Sequence, residues 1–201
     1  IDGFQDSCRL FEQESAKVLW IYNSGSITRV ELSEELTRQI SVKSYGVEEG
    51  FPVERQIYVA KIEGRVYFTT PHGIYKYNVH KDMMEPCSDL NNLLNGAVPY
   101  TRLLEYHERL ISLSPHEICI ANLGTYKRGA NTSINPIRQS FLELGQDYEA
   151  IIPLSDSLMV IPNEEGFALF TVPEVRHRQD LTHSVYIRNM YLTYPKDSLV
   201  Y

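Results

Sequence analysis

Apolar and polar positions alternate along this chain in short runs of five to seven, the period of a half-buried strand, and continuous apolar stretches longer than that are rare. Four segments share one grammar: an apolar strand, a short polar turn ending in or beside glycine, then a second strand. They are VLWIYNSGSITRVEL (18–32), VYFTTPHGIYKYNV (66–79), EICIANLGTYKR (117–128) and SLMVIPNEEGFALFTV (157–172). Their glycines, Gly25, Gly73, Gly124 and Gly166, lie 48, 51 and 42 residues apart. One blade of four antiparallel strands takes about 40–50 residues, whereas most solenoid repeats are shorter and helical repeats show a 3.6-residue period. A further strand is expected ahead of each marker, at 8–12, 57–62, 101–106 and 148–154, joined by tight turns such as Glu63-Gly64 and Ser155-Asp156-Ser157. A weaker fourth strand follows, as at Ile40 to Tyr45.

Helical signal is thin. Leu32, Leu36 and Ile40 fall at helical spacing behind Ser33, and Asp89 to Leu94 has room for one turn, both between strands. Residues 136–144 read either as a short helix opened by Pro136 or as an outer strand, and strand is favoured. The predicted fold is therefore all-β: β-propeller-type four-stranded antiparallel blades, about four of them in a partial ring. Blade units fall at 1–52, 53–99, 100–147 and 148–175. A linker opens at Pro173, and the family resemblance described next implies that residues 176–201 begin a second, β-sandwich domain.

Particular residues carry a family resemblance. Trp20-Ile21 in its strand, Ser26-Ile27-Thr28-Arg29-Val30 after the glycine, and Ser41-Val42-Lys43-Ser44-Tyr45-Gly46-Val47-Glu48-Glu49-Gly50-Phe51-Pro52 resemble the regulator-propeller repeat of bacterial membrane-spanning sensors. Thr69-Thr70-Pro71-His72-Gly73-Ile74-Tyr75 is similar to the same signature in the next blade. The tail Val185-Tyr186-Ile187-Arg188-Asn189-Met190-Tyr191-Leu192-Thr193, with Lys196-Asp197-Ser198-Leu199-Val200-Tyr201, resembles the start of the three-tyrosine domain that follows such propellers. The later repeats depart from the pattern: the strand tryptophan occurs only at Trp20, and the Gly-Leu-Pro turn reads Gly50-Phe51-Pro52.

The resemblance implies a periplasmic sensor segment of a signal-transduction protein. Its output would be a LuxR-type helix-turn-helix or a histidine kinase, reached through a membrane helix outside this chain. A start at Ile1 and an end inside a strand-like run fit a piece of something longer.

Composition narrows the chemistry. The 201 residues carry 19 Lys+Arg against 26 Asp+Glu, a formal charge of −7 that argues against nucleic acid as a partner of this segment. No apolar run reaches the roughly 18 residues of a membrane span. Cys8, Cys87 and Cys119 are too few and scattered for a disulfide scaffold or a zinc knot. Catalysis is not expected, because the sequence lacks a nucleophile elbow, a phosphate loop, a zinc-protease helix and a dinucleotide fingerprint. No cofactor is expected either.

The histidines at 72, 80, 107, 116, 177 and 183 have no metal-ligand spacing. Glu34-Glu35, Glu48-Glu49 and Glu164-Glu165 are adjacent acids in turns, whose side chains diverge, so they do not make a glycosidase pair. Arg176-His177-Arg178 reads as a hydrated linker, and Asn131-Thr132-Ser133 matches a glycosylation sequon. The 14 tyrosines are the one bias. Tyr22, Tyr67, Tyr75, Tyr77, Tyr100, Tyr106 and Tyr126 lie in or beside strands, where they either pack between blades or offer faces to a sugar.

The expected function is extracytoplasmic sensing of a ligand, with an oligosaccharide as the candidate, or of a protein partner. A carbohydrate-active propeller enzyme and an interaction scaffold without small ligand are the alternatives. Open first and last blades would expose apolar faces and favour a homodimer or larger assembly.

Overall fold

In the computed structural model, residues 8, 10–23, 26–35, 38–94, 102–114, 117–124, 135–138, 150–163, 166–172, 190–192 and 198–200 are described. The chain divides into two compact units, Ile1–Arg138 and Gln139–Tyr201.

The first unit holds three four-stranded antiparallel sheets, each a meander in chain order. Sheet 1 is β1 (Leu10–Ser15), β2 (Val18–Tyr22), β3 (Ile27–Leu32) and β4 (Gln39–Tyr45). Sheet 2 is β5 (Tyr58–Ile62), β6 (Arg65–Thr70), β7 (Gly73–Asn78) and β8 (Met83–Pro86), followed by the single turn α1 (Ser88–Leu93). Sheet 3 is β9 (Arg102–Tyr106), β10 (Arg109–Leu113), β11 (Glu117–Asn122) and β12 (Asn135–Arg138). In the second unit β13 (Ile152–Ser155), β14 (Leu158–Asn163) and β15 (Gly166–Thr171) form a three-stranded sheet 4, and β16 (Met190–Leu192) pairs with β17 (Ser198–Val200). The expected blade grammar is present, and the described residues are all-β apart from α1 and short turns. The sequon at Asn131, the 173–189 linker and most of the tail lie outside the described residues.

Local sequence explains most joints. Glu63 and Gly64 take φ of 53° and 74°, two consecutive left-handed residues as a tight hairpin requires, so Ile62 pairs with Arg65. At Gly73, φ is 117° and an added Cβ would sit 2.7 Å from Asn91 Oδ1. The Asn91 amide in α1 takes the place of a strand there: Ile74 N–H donates to Oδ1 at 2.8 Å, and Nδ2 donates to the Ile74 carbonyl at 2.9 Å. Gly50 is similarly obligatory, since a Cβ would fall 2.3 Å from the Met84 carbonyl oxygen.

The third blade corrects the repeat reading. Arg109–Leu113 is a strand the glycine markers did not reveal, so Glu117–Asn122 is the third strand of its sheet and not the second. Gly124 therefore lies beyond the third strand, whereas Gly73 and Gly166 open theirs. The hidden hairpin turns on His107 and Glu108, with φ of 47° and 58°. Left-handed non-glycine residues carry no turn signal in sequence, which is why the strand escapes a search for Gly, Asn or Asp. Second strands begin at residues 18, 65, 109 and 158, intervals of 47, 44 and 49, a more even repeat than the glycines suggested. Of the ambiguous 136–144 segment, the described part is strand β12.

Two cores form where successive sheets face each other. Trp20, Tyr22, Ile27 and Tyr45 of sheet 1 meet Val59, Val66, Phe68 and Met84 of sheet 2, with Phe51 and Ile57 from the connection. The other face of sheet 2, through Ala60, Ile62 and Ile74, meets Leu103, Leu110, Cys119 and Ala121 of sheet 3, sealed by Leu90, Leu93 and Leu94. A strand buried on both faces needs apolar side chains at successive positions, hence the run Tyr58-Val59-Ala60 in β5.

Candidate functional site

Most of the tyrosines singled out by sequence are absorbed by packing. Tyr67 lies against the core between sheets 2 and 3, and Tyr75 and Tyr77 against that between sheets 1 and 2. Burial raises the pKa of all three. Tyr106 stacks edge-on with His107 at a hairpin tip, ring centroids 4.2 Å apart. Tyr100 and Tyr126 lie outside the described residues.

One group brings three successive blades together. Tyr22 ends β2, Tyr58 begins β5 and Arg102 begins β9, so all three sit at the end where the first strands start. The Tyr22 and Tyr58 rings lie 5.9 Å apart, and the Arg102 guanidinium sits over the Tyr58 ring at 4.5 Å. A guanidinium held on an aromatic face keeps its N–H edge directed outward while its flat face is desolvated. The structure gives Thr69, which pairs directly with Tyr58, and Ser112, which pairs with Leu103, buried hydroxyls with no hydrogen-bond partner. Such orphans mark places where solvent or a ligand completes the hydrogen bonding. At this strand mouth Tyr22 and Tyr58 are 8% and 9% exposed, Thr69 and Ser112 are 1% exposed, and Arg102 is half-buried. Tyr58 and Arg102 were not singled out by sequence. Their partnership spans three blades, and no local pattern encodes it.

A second cluster ties the last strand of sheet 1 to the turn between β7 and β8 of sheet 2. Asp82, at φ 52° in the turn before β8, accepts the Tyr45 hydroxyl at 2.6 Å and the Tyr77 hydroxyl at 2.7 Å on one oxygen, and pairs with Lys43 through the other. The Lys43 bond, then the two tyrosines, hold the Asp82 carboxyl well below the usual carboxylate range. Burial first, then the Asp82 bond, pushes the Tyr45 hydroxyl far above the usual phenol value. Beneath it, the Arg29 guanidinium lies 5.8 Å from the Trp20 ring and 5.5 Å from the Tyr77 ring, and Trp20 Nε1 donates to Glu14 at 2.8 Å. With its carboxylate bonded by side chains of both blades, this cluster reads as an inter-blade clasp.

The remaining candidates are dispersed. His72, His80 and His107 are exposed in separate turns, and His116, His177 and His183 lie outside the described residues. Glu34 and Glu35 are exposed, while Glu49 accepts the Gly46 N–H at 2.8 Å and braces its own turn. Glu164-Glu165 and Arg176-His177-Arg178 are outside the described residues. Among the described residues no group of His, Cys, Asp and Glu is arranged to hold a metal, and no helix is long and apolar enough to cross a membrane.

No family model and no curated protein matches the chain. Solved structures do. The extracellular domain of the putative hybrid two component system BT4673 from B. thetaiotaomicron matches 85% of this chain with a TM-score of 0.53 and 18% identity. A structure described as the extracellular domain of the putative one component system BT4673 from the same organism matches 90% with a TM-score of 0.52 and 16% identity. The blades are those of a propeller-type fold. The neighbours are extracellular domains of a putative signalling protein, in keeping with the sensor resemblance carried by residues 18–52. This chain spans 23% and 24% of the length of those two structures, about a quarter.

Proposed function

We propose that the chain is an extracytoplasmic sensing segment of a membrane-spanning signal-transduction protein, with an oligosaccharide as its ligand. The observation that carries this reading is the shared fold with the two BT4673 extracellular domains over 85% and 90% of the chain. The regulator-propeller resemblance of residues 18–52 and the three-tyrosine resemblance of the tail support it. The output is a LuxR-type regulator or a histidine kinase beyond this segment, in a periplasmic arrangement. The strand mouth at Tyr22, Tyr58 and Arg102 is the proposed contact for sugar rings and their acidic substituents. Signalling requires that the ligand bind one arrangement of the receptor more tightly than another.

The test is calorimetry of the chain against a panel of neutral and acidic oligosaccharides, beside its Tyr58→Ala and Arg102→Ala variants. Heat from the parent chain, lost in both variants while their melting stays cooperative, supports the reading. Absence of heat across the panel overturns the ligand. Binding that survives both substitutions moves it away from the strand mouth.

A further inference from the structure

Side chains alternate between the two faces of a sheet, and residues paired directly across neighbouring strands share a face. In sheet 2, Thr69 pairs with Tyr58 on one side and Ile74 on the other. Ile74 belongs to the core between sheets 2 and 3, so Thr69 turns its hydroxyl into that core. In sheet 3, Ser112 pairs with Leu103 and Cys119, both members of the same core. The rows Tyr58–Thr69–Ile74 and Leu103–Ser112–Cys119 therefore lie on facing sides of one interface, wholly within the first unit.

Thr69 and Ser112 are each 1% exposed, and neither hydroxyl has a hydrogen-bond partner among the described residues. They are exceptions in this fold. The buried Thr70 hydroxyl donates to the Gly73 carbonyl at 3.0 Å and accepts the His72 N–H at 3.1 Å, and that of Thr28 bonds Ser44 at 3.0 Å. Their neighbours in the core are apolar, with Ala60, Ile62, Leu110 and Ala121 on the two sheets. A hydroxyl buried among such groups without a partner costs about as much as a lost hydrogen bond. Two of them from facing sheets in one core ask for a single remedy. Facing sheets stand about 10 Å apart, and two short side chains leave a space on the order of the 5 Å that one water spans with two hydrogen bonds of about 2.8 Å. Burial this complete suits water and not a sugar ring.

We propose that the core between sheets 2 and 3 binds one water molecule, shared by the Thr69 and Ser112 hydroxyls. Each hydroxyl both donates and accepts, so the water accepts from one and donates to the other. The site lies behind Tyr58, the direct partner of Thr69, whose ring carries Arg102. It goes beyond the sensing role and needs no ligand.

Magnetic relaxation dispersion of the solvent, which counts waters held longer than nanoseconds, tests this on the parent chain, Thr69→Val, Ser112→Ala and the double variant. The double variant should hold one such water fewer per chain than the parent, and Thr69→Ser, which keeps the hydroxyl, should retain it. An unchanged count in the double variant overturns the proposal, and so does a loss of two, which would mean separate sites. Denaturant titration of the same proteins gives an independent reading. Each single variant should lower the folding equilibrium constant about tenfold, because it strands the other hydroxyl. The double variant should lose less than the two single losses combined. Single variants more stable than the parent, or losses that simply add, also overturn it. Should Thr69→Val fail to fold, Thr69→Ala carries the same comparison.

Discussion

The Asp82 carboxylate, in a turn of the second blade, accepts the hydroxyl of Tyr45, on the last strand of the first, at 2.6 Å. This contact and its Lys43 partner join the first two blades. Because bonding lowers the folded-state pKa of Asp82, its contribution is present above the unfolded value near 4 and is lost as pH falls through the lower folded value. Asp82→Asn keeps a residue that tolerates the left-handed turn while removing the charge. It should lower the melting temperature at pH 7 and flatten the decline below about pH 4. Parallel melts from pH 7 to pH 2 check both, and equal slopes in parent and variant would refute the clasp.

Glu12 behaves in the opposite sense. Burial raises its pKa, with Lys61 pulling weakly the other way, so the ionised form is disfavoured in the fold. Its stabilising term is complete below the unfolded value near 4.3 and lost as pH rises through the folded one. Glu12→Gln should therefore raise the urea midpoint at pH 7, and the gain should vanish near pH 4. A variant less stable at pH 7 would show that the Lys61 interaction dominates instead.

Trp20 is the only tryptophan and is fully buried between the first two blades against Tyr45, Phe68 and Tyr77. Its native emission should be blue-shifted and protected from iodide, and should redden in a single transition on unfolding. Trp20→Ala should cost about 3–5 kcal/mol, as for other buried aromatic truncations. Fluorescence of the parent and circular dichroism of the variant measure the two effects.

Gly73→Ala should destabilise by about 1–3 kcal/mol, because it forces an L residue to a positive φ and drives Cβ into Asn91 Oδ1. Asn91→Ala removes the obstacle but also the two bonds to Ile74. The double variant should lose less than the two single losses combined. Denaturant titrations of all four proteins give the coupling, and strict additivity would show that the amide does not press on Gly73.

The His107-Glu108 turn offers a gain. Glu108→Gly relieves a left-handed non-glycine residue, worth about 1–2 kcal/mol, against about 0.4–1 kcal/mol of added freedom in the unfolded chain. A net rise in stability of up to about 1 kcal/mol is expected in chemical denaturation. A loss would mean that the Glu108 side chain, which lies against Gly124, contributes more than the strain costs.

The sequence by itself determined the class of fold. Alternation along Leu10–Ser15, the all-apolar run at Val18–Tyr22 and the Glu63-Gly64 joint are local patterns, and strand pairing within a meander needs only neighbours in the chain. The hairpin at His107-Glu108 was invisible because its left-handed backbone is imposed by the pairing of β9 with β10, not favoured by its residues. Tertiary structure alone decided which side chains the tyrosines meet. Tyr45 and Tyr77 converge on Asp82 because two blades meet there, and Tyr22, Tyr58 and Arg102 come together across three. Burial and partnership depend on what the neighbouring sheet places opposite a side chain, and that is not a property of any short stretch of sequence.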